Sequence, residues 1–105
     1  MLRFETHLSP TGLDKLLAML ERRHLSPMEL RVLLWLSDRR ATPSELAEGL
    51  GGSPGAIRYA ARSLSMRGLV RRRFECGQTS RFVFEITPAG HLQLDPLLQA
   101  LTETG

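Results

Sequence analysis

The amino-acid sequence predicts a mainly α-helical domain of five helices, with one small β-hairpin between the fourth helix and the fifth. Two observations carry this expectation. Five of the six prolines follow Ser or Thr, as Ser9-Pro10, Ser26-Pro27, Thr42-Pro43, Ser53-Pro54 and Thr87-Pro88. A Ser or Thr hydroxyl at a helix start accepts from an orphan backbone N–H, and proline in the first helical position gives up an N–H that had no partner there. Each pair therefore marks the start of a helix. Between the last two starts the apolar spacing changes from helical to alternating, which is strand spacing. A chain of 105 residues suits a single domain that buries its own core without disulfide or metal.

The first helix, roughly Pro10 to Arg23, sets Leu13, Leu16, Leu17 and Leu20 on one stripe. Pro27 to about Arg39 is apolar nearly all round, through Leu30, Val32, Leu33, Leu34, Trp35 and Leu36, and is expected at the centre of the core. Glu29 after Ser26 and Glu45 after Thr42 complete two capping boxes. The third helix, Pro43 to Leu50, ends at Gly51-Gly52, where a left-handed residue can turn the chain sharply. A fourth helix runs from Pro54 to Met66. At 100° per residue, Ile57, Ala60, Ala61 and Leu64 fall within about 60° of one direction, while Arg58, Tyr59 and Arg62 point broadly the other way.

Arg67-Gly68 stops that helix. Phe82, Phe84 and Ile86 then alternate with Arg81, Val83 and Glu85, and Val70, Arg72 and Phe74 supply a partner strand across a loop at Cys76 to Ser80. A final helix, Pro88 to about Leu101, carries Leu94, Leu97, Leu98 and Leu101 on its apolar side. A short helix, a glycine turn, a second helix with a free polar face and an Arg-bearing hairpin make up a winged helix-turn-helix in order.

Charge is distributed unevenly. From Ser53 to Arg81 there are seven arginines and one acid, Glu75, or +6, while the rest of the chain holds seven bases and ten acids, or −3. A basic segment on a mildly acidic body is the electrostatic footprint expected of a phosphate-binding surface. The rival reading is a solvated helix face, and the continuation of charge from helix into hairpin favours contact. Arg71, Arg72 and Arg73 cannot all face one way on a strand, so one or two of them are expected to pair with Glu75 or Glu85.

The runs LSPMELRVLLWL, PSELAEGLGGSPGAIRYAARSLSMRGLVRRR and FEITPAGH resemble the MarR family, over about Leu25 to His91. The Gly68-Leu69-Val70 step and the Thr87-Pro88-Ala89-Gly90 exit are the most specific parts of the likeness. It implies a dimeric, double-stranded-DNA-binding transcriptional regulator with its terminal helices, about 10–23 and 88–101, at the dimer interface. It also implies Arg58, Tyr59 and Arg62 at recognition positions of helix 54–66, Arg81 as the arginine of the wing 70–86, and a small-molecule effector whose pocket no residue identifies; helix 54–66 is expected in the major groove and the wing on phosphates or in the minor groove. With Ser44, Ser53, Arg71, Arg72 and Arg73 these residues make up the candidate DNA contacts. Where family members carry Asp two residues before the wing arginine, this chain has Thr79. Its length, shorter than most members, implies a terminal interface that is smaller or arranged differently.

Other function classes find little support. No Ser or Cys nucleophile has a base at a recognisable spacing, and no glycine motif cradles phosphate, so no enzyme is expected. Cys76 has no partner for a disulfide, and a lone exposed cysteine is more often incidental than a redox switch. His7, His24 and His91 lack ligand spacing, and neither metal nor cofactor is expected. The start MLRFETHL is not a secretion signal and the longest apolar run is only Val32 to Leu36, so a cytoplasmic protein off the membrane is expected. One alternative stays open on fold alone: a winged-helix module that binds a protein partner in a larger complex, against which the +6 segment weighs.

Overall fold

The computed structural model describes residues 10–78 and 80–102. Ser9, the start MLRFETHL with His7, Thr79 and the side chain of Leu101 lie outside the described residues. The elements run α1 (Pro10–Arg22), α2 (Pro27–Leu36), α3 (Pro43–Leu50), α4 (Pro54–Met66), β1 (Val70–Glu75), β2 (Arg81–Ile86) and α5 (Pro88–Thr102). Every proline that follows Ser or Thr opens a helix. Both capping boxes form: Ser26 Oγ accepts from the Glu29 N–H at 3.0 Å while Glu29 Oε1 accepts from the Ser26 N–H at 2.7 Å, and Thr42 with Glu45 repeats the pattern.

The core forms where helical stripes meet. Val32 and Leu33 of α2, Leu46 of α3, Ala61 and Leu64 of α4 and Leu94 and Leu97 of α5 are fully buried together. The α2 helix touches α3, α4, α5 and β2, which is the central position its apolar composition predicts. On α1 the buried stripe is Leu16, Met19 and Leu20, facing α5. Leu13 and Leu17, expected on that stripe, are instead 42% and 47% exposed, because the docked face is rotated toward Met19.

The α2 helix stops at Leu36, earlier than the expected Arg39. Ser37 ends it by donating its hydroxyl to the Leu34 carbonyl at 2.7 Å. Leaving the helix there lets Ala41 lie beside β2, where its N–H donates to the Phe84 carbonyl at 3.1 Å and its carbonyl accepts from the Phe84 N–H at 2.7 Å. The hairpin thus gains a one-residue third strand that satisfies the Phe84 N–H and carbonyl on the outer edge of β2. Two helix ends use left-handed residues in full Schellman motifs. After α4, Gly68 (φ 77°) donates to Ser65 and Leu69 donates to Leu64, and after α1, His24 (φ 55°) donates to Glu21 and Leu25 donates to Leu20.

β1 and β2 pair antiparallel with Val70 opposite Ile86, Arg72 opposite Phe84 and Phe74 opposite Phe82 on one face. Arg71 opposite Glu85, Arg73 opposite Val83 and Glu75 opposite Arg81 make the other. α5 continues through Pro96, whose missing N–H leaves the Leu92 carbonyl without its helical donor. Among the described residues no helix is long and apolar enough to cross a membrane.

Candidate nucleic-acid interface

The helix-turn-helix is built locally. Gly51 ends α3 in the left-handed region (φ 69°), its N–H donating to Ala47 at 3.0 Å, and two residues later Ser53 caps α4 by accepting from the Ala56 N–H at 3.4 Å. The Arg31 guanidinium donates to the Leu50 carbonyl at the end of α3. Ile57, Ala60, Ala61 and Leu64 are all buried, so the docked face of α4 is the one the helical angles predict. Its outer face carries Arg58, Tyr59 and Arg62, all exposed, with Tyr59 77% exposed. Neither Arg58 nor Arg62 pairs with a carboxylate among the described residues. No acid stands in the first turn of α4, so no carboxylate of that turn offsets the positive end of the helix dipole. Ser44 and Ser53 are exposed in the first turn of α3 and at the cap of α4.

The remaining arginines of the basic segment divide by partner. Arg67 is exposed but tied down, unlike Arg58 and Arg62: its guanidinium donates to the Arg23 carbonyl at 2.8 Å and the His24 carbonyl at 2.9 Å, clamping the end of α1. Arg71 Nε donates to Glu85 Oε2 at 2.5 Å and Arg73 Nη1 to Glu85 Oε1 at 3.4 Å, which is the pairing foreseen from strand alternation. Glu85 is buried against the sheet, and the Arg71 hydrogen bond, with the charges of Arg71 and Arg73, holds its carboxyl below the usual carboxylate value despite the opposing effect of burial. Arg81 Nε lies 3.5 Å from Glu75 Oε1, and Arg40 Nη1 reaches Glu75 Oε2 at 2.7 Å.

Arg72 lies on the opposite face, its guanidinium 4.6 Å from the centroid of the Phe82 ring, which meets Phe74 edge-to-face at 5.0 Å. Arg71, Arg73 and Arg81 therefore share one face of the hairpin with two acids among them, and Arg72 stands apart with the aromatic pair. Arg40 belongs to the first group but carries no local sequence signal, since its partner is Glu75, far along the chain. Among the described residues no group of three His, Cys, Asp or Glu is placed to hold a metal.

The sequence profile described as MarR family matches residues 25–81. Among curated proteins, none matches the chain at a significant level. Solved structures share its architecture. The chain is similar to the YusO protein from Bacillus subtilis, at 22% identity and TM-score 0.74, covering 87% of this chain and 65% of that one. It is similar to a point mutant of S. aureus MepR bound to oligodeoxyribonucleotide, at 17% identity and TM-score 0.77, covering 85% of this chain and 67% of that one. A transcriptional regulator homologue from Pyrococcus horikoshii OT3 is 26% identical with TM-score 0.66, covering 87% and 90% of the two chains. The chain thus spans about two thirds of the length of the first two. Five helices with a two-stranded wing, and a profile match over more than half the residues, give one conclusion: the chain belongs to the MarR family.

Proposed function

We infer that this protein is a double-stranded-DNA-binding transcription regulator that acts as a dimer. The observation that carries the reading is the outer face of α4, where Arg58, Tyr59 and Arg62 stand exposed with no carboxylate beside the arginines among the described residues. Arginine in such a position can reach guanine edges or phosphates, and a helix of 13 residues docked by one apolar face leaves the other free for the major groove. Ser44 and Ser53, exposed at helix starts, are suited to phosphate contact. Arg71, Arg73 and Arg81 add a basic wing face that retains excess positive charge after Glu75 and Glu85 are counted. The MepR structure with bound oligodeoxyribonucleotide supports the same use of the fold.

In the dimer, α1 and α5 supply the interface, and the exposed Leu13 and Leu17 on α1 and Leu92 on α5 supply apolar surface for it. Two copies of α4 then enter successive major grooves about one helical turn apart, on a pseudo-palindromic site. Selection of bound sites from a random DNA pool tests the reading. The expected product is a motif with two-fold symmetry, bound with strong salt dependence. No binding to random duplex at low salt would contradict it and leave the winged-helix module that binds a protein partner.

A further inference from the structure

Gly55 stands where the fold has no need of a glycine. It lies in the first turn of α4, outside the left-handed region, and is exposed. Apart from its own helix, a Cβ there would meet Ser53 Oγ at 3.8 Å, an ordinary contact, and nothing closer. Gly49 and Gly90, by contrast, leave no room for a Cβ, and Gly51 and Gly68 adopt positive φ. Glycine in a helix is less stable than alanine, so α4 gives up stability here that its packing would allow it to keep.

The position is the leading point of the outer face. At 100° per residue Gly55, Arg62 and Met66 fall within about 40° of one another, and Arg58 and Tyr59 stand on either side of that line. Side-chain reach along it grows from the helix start: none at Gly55, then Arg58 and Tyr59 one turn on, then Arg62 in the turn after. Such a taper fits a helix that lies in a groove with its N-terminal end deepest, the geometry in which a recognition helix meets base edges. The chemistry of the face is equally selective. The α4 sequence PGAIRYAARSLSM contains no Asn, Gln, Asp or Glu. Adenine is held bidentately by Asn or Gln and cytosine N4 donates to a carboxylate, so neither base has its partner on this helix. Arginine is the bidentate partner of guanine O6 and N7.

We propose that Gly55 is the clearance that seats the first turn of α4 against the base edges, and that Arg58 and Arg62, carried in by that approach, each read a guanine. This assignment rests on the DNA-binding reading above and adds the base that the site must contain. The four-residue step from Arg58 to Arg62 rises by about 6 Å, just under two base-pair steps of about 3.4 Å. Each half-site therefore holds two guanines about two base pairs apart, on either strand.

The test measures fluorescence-polarisation binding to a site selected from a random pool, to random duplex, and to the selected site with 7-deazaguanine at the half-site guanines, which removes the N7 acceptor alone. Gly55→Ala is expected to raise the melting temperature and yet weaken binding to the selected site by about tenfold, with random duplex changed by less than about twofold. Wild-type protein is expected to lose about tenfold on the 7-deazaguanine site, and the double variant Arg58→Ala with Arg62→Ala to show no such penalty. A melting temperature lowered by Gly55→Ala would overturn the clearance, since the fold would then need the glycine. Wild-type affinity of Gly55→Ala for the selected site, or equal losses on both duplexes, would overturn it as well. A selected motif without guanine, or a 7-deazaguanine penalty that is absent in the wild type or survives in the double variant, would overturn the guanine assignment. All of these leave the DNA reading intact. Failure of the wild-type protein to bind either duplex at low salt would instead remove the DNA reading itself.

Discussion

Thr87 Oγ1 donates to the carbonyl of Gly68 at 2.6 Å and accepts from the Gly90 N–H at 3.1 Å, while the Thr87 N–H donates to the Leu69 carbonyl at 3.0 Å. One side chain thus joins the end of α4, the exit of the wing and the start of α5. The Gly68-Leu69-Val70 and Thr87-Pro88-Ala89-Gly90 segments are the two sides of this joint. Thr87→Val keeps the shape but loses both side-chain bonds, and it is expected to lower unfolding free energy by about 1–2 kcal/mol in urea titration. Thr87→Ser is expected within about 0.5 kcal/mol of wild type. Equal stability of the valine and serine variants would contradict the role.

Gly90 is needed for space. A Cβ there would overlap the Leu69 carbonyl oxygen and lie 2.6 Å from Ile86 Cγ1, and a backbone atom cannot step aside cheaply. Gly90→Ala is expected to cost about 2–3 kcal/mol by thermal or urea unfolding. Gly77→Ala, at the wing turn with no atom within 4 Å of a new Cβ, is expected to change stability by less than about 0.5 kcal/mol.

These residues show what the sequence made legible. Caps, helix starts and the docked face of α4 depend on neighbours within four residues, so Ser26 with Glu29, Thr42 with Glu45 and the Ile57 to Leu64 stripe could be read directly. Contacts between distant segments could not. The early end of α2 follows from Ala41 pairing with Phe84, and the diversion of Arg67 follows from carbonyls of α1 and the turn after it, neither of which leaves a local pattern. Strand alternation did show that Arg71 to Arg73 must divide between two faces. Which acids meet them depends on the register that sets Arg71 opposite Glu85.

Arg67 counts toward the basic segment but serves the fold. Removing its bonds to the Arg23 and His24 carbonyls by Arg67→Ala is expected to cost about 1 kcal/mol, at the low end for charged hydrogen bonds because the site is exposed. Arg67→Lys is expected to recover less than half, since one ammonium does not reproduce a fork to two carbonyls. The salt slope of binding to random duplex is expected to stay at the wild-type value in both. A slope reduced by about one would mark Arg67 as a phosphate contact instead.

Glu85 links the wing to pH. The Arg71 hydrogen bond lowers its pKa in the folded state, so the ionised carboxylate contributes stability above the unfolded value and loses that contribution as pH falls through the depressed folded value. Unfolding free energy of the wild type is therefore expected to fall more steeply below pH 4.5, the ordinary carboxyl value, than that of Glu85→Gln. At neutral pH the same variant frees Arg71 and Arg73, and binding to random duplex is expected to tighten with a salt slope steeper by about one. Parallel pH profiles for the two proteins would contradict the linkage.

On the proposed function, the outer face of α4 reads DNA sequence. Its most direct measurement is the affinity of Arg62→Ala, with Arg58→Ala beside it, for a site selected from a random pool and for random duplex under identical salt. A loss of about 1–3 kcal/mol is expected on the selected site and a much smaller loss on random duplex. Equal losses on the two duplexes would contradict it, reducing these arginines to phosphate contacts.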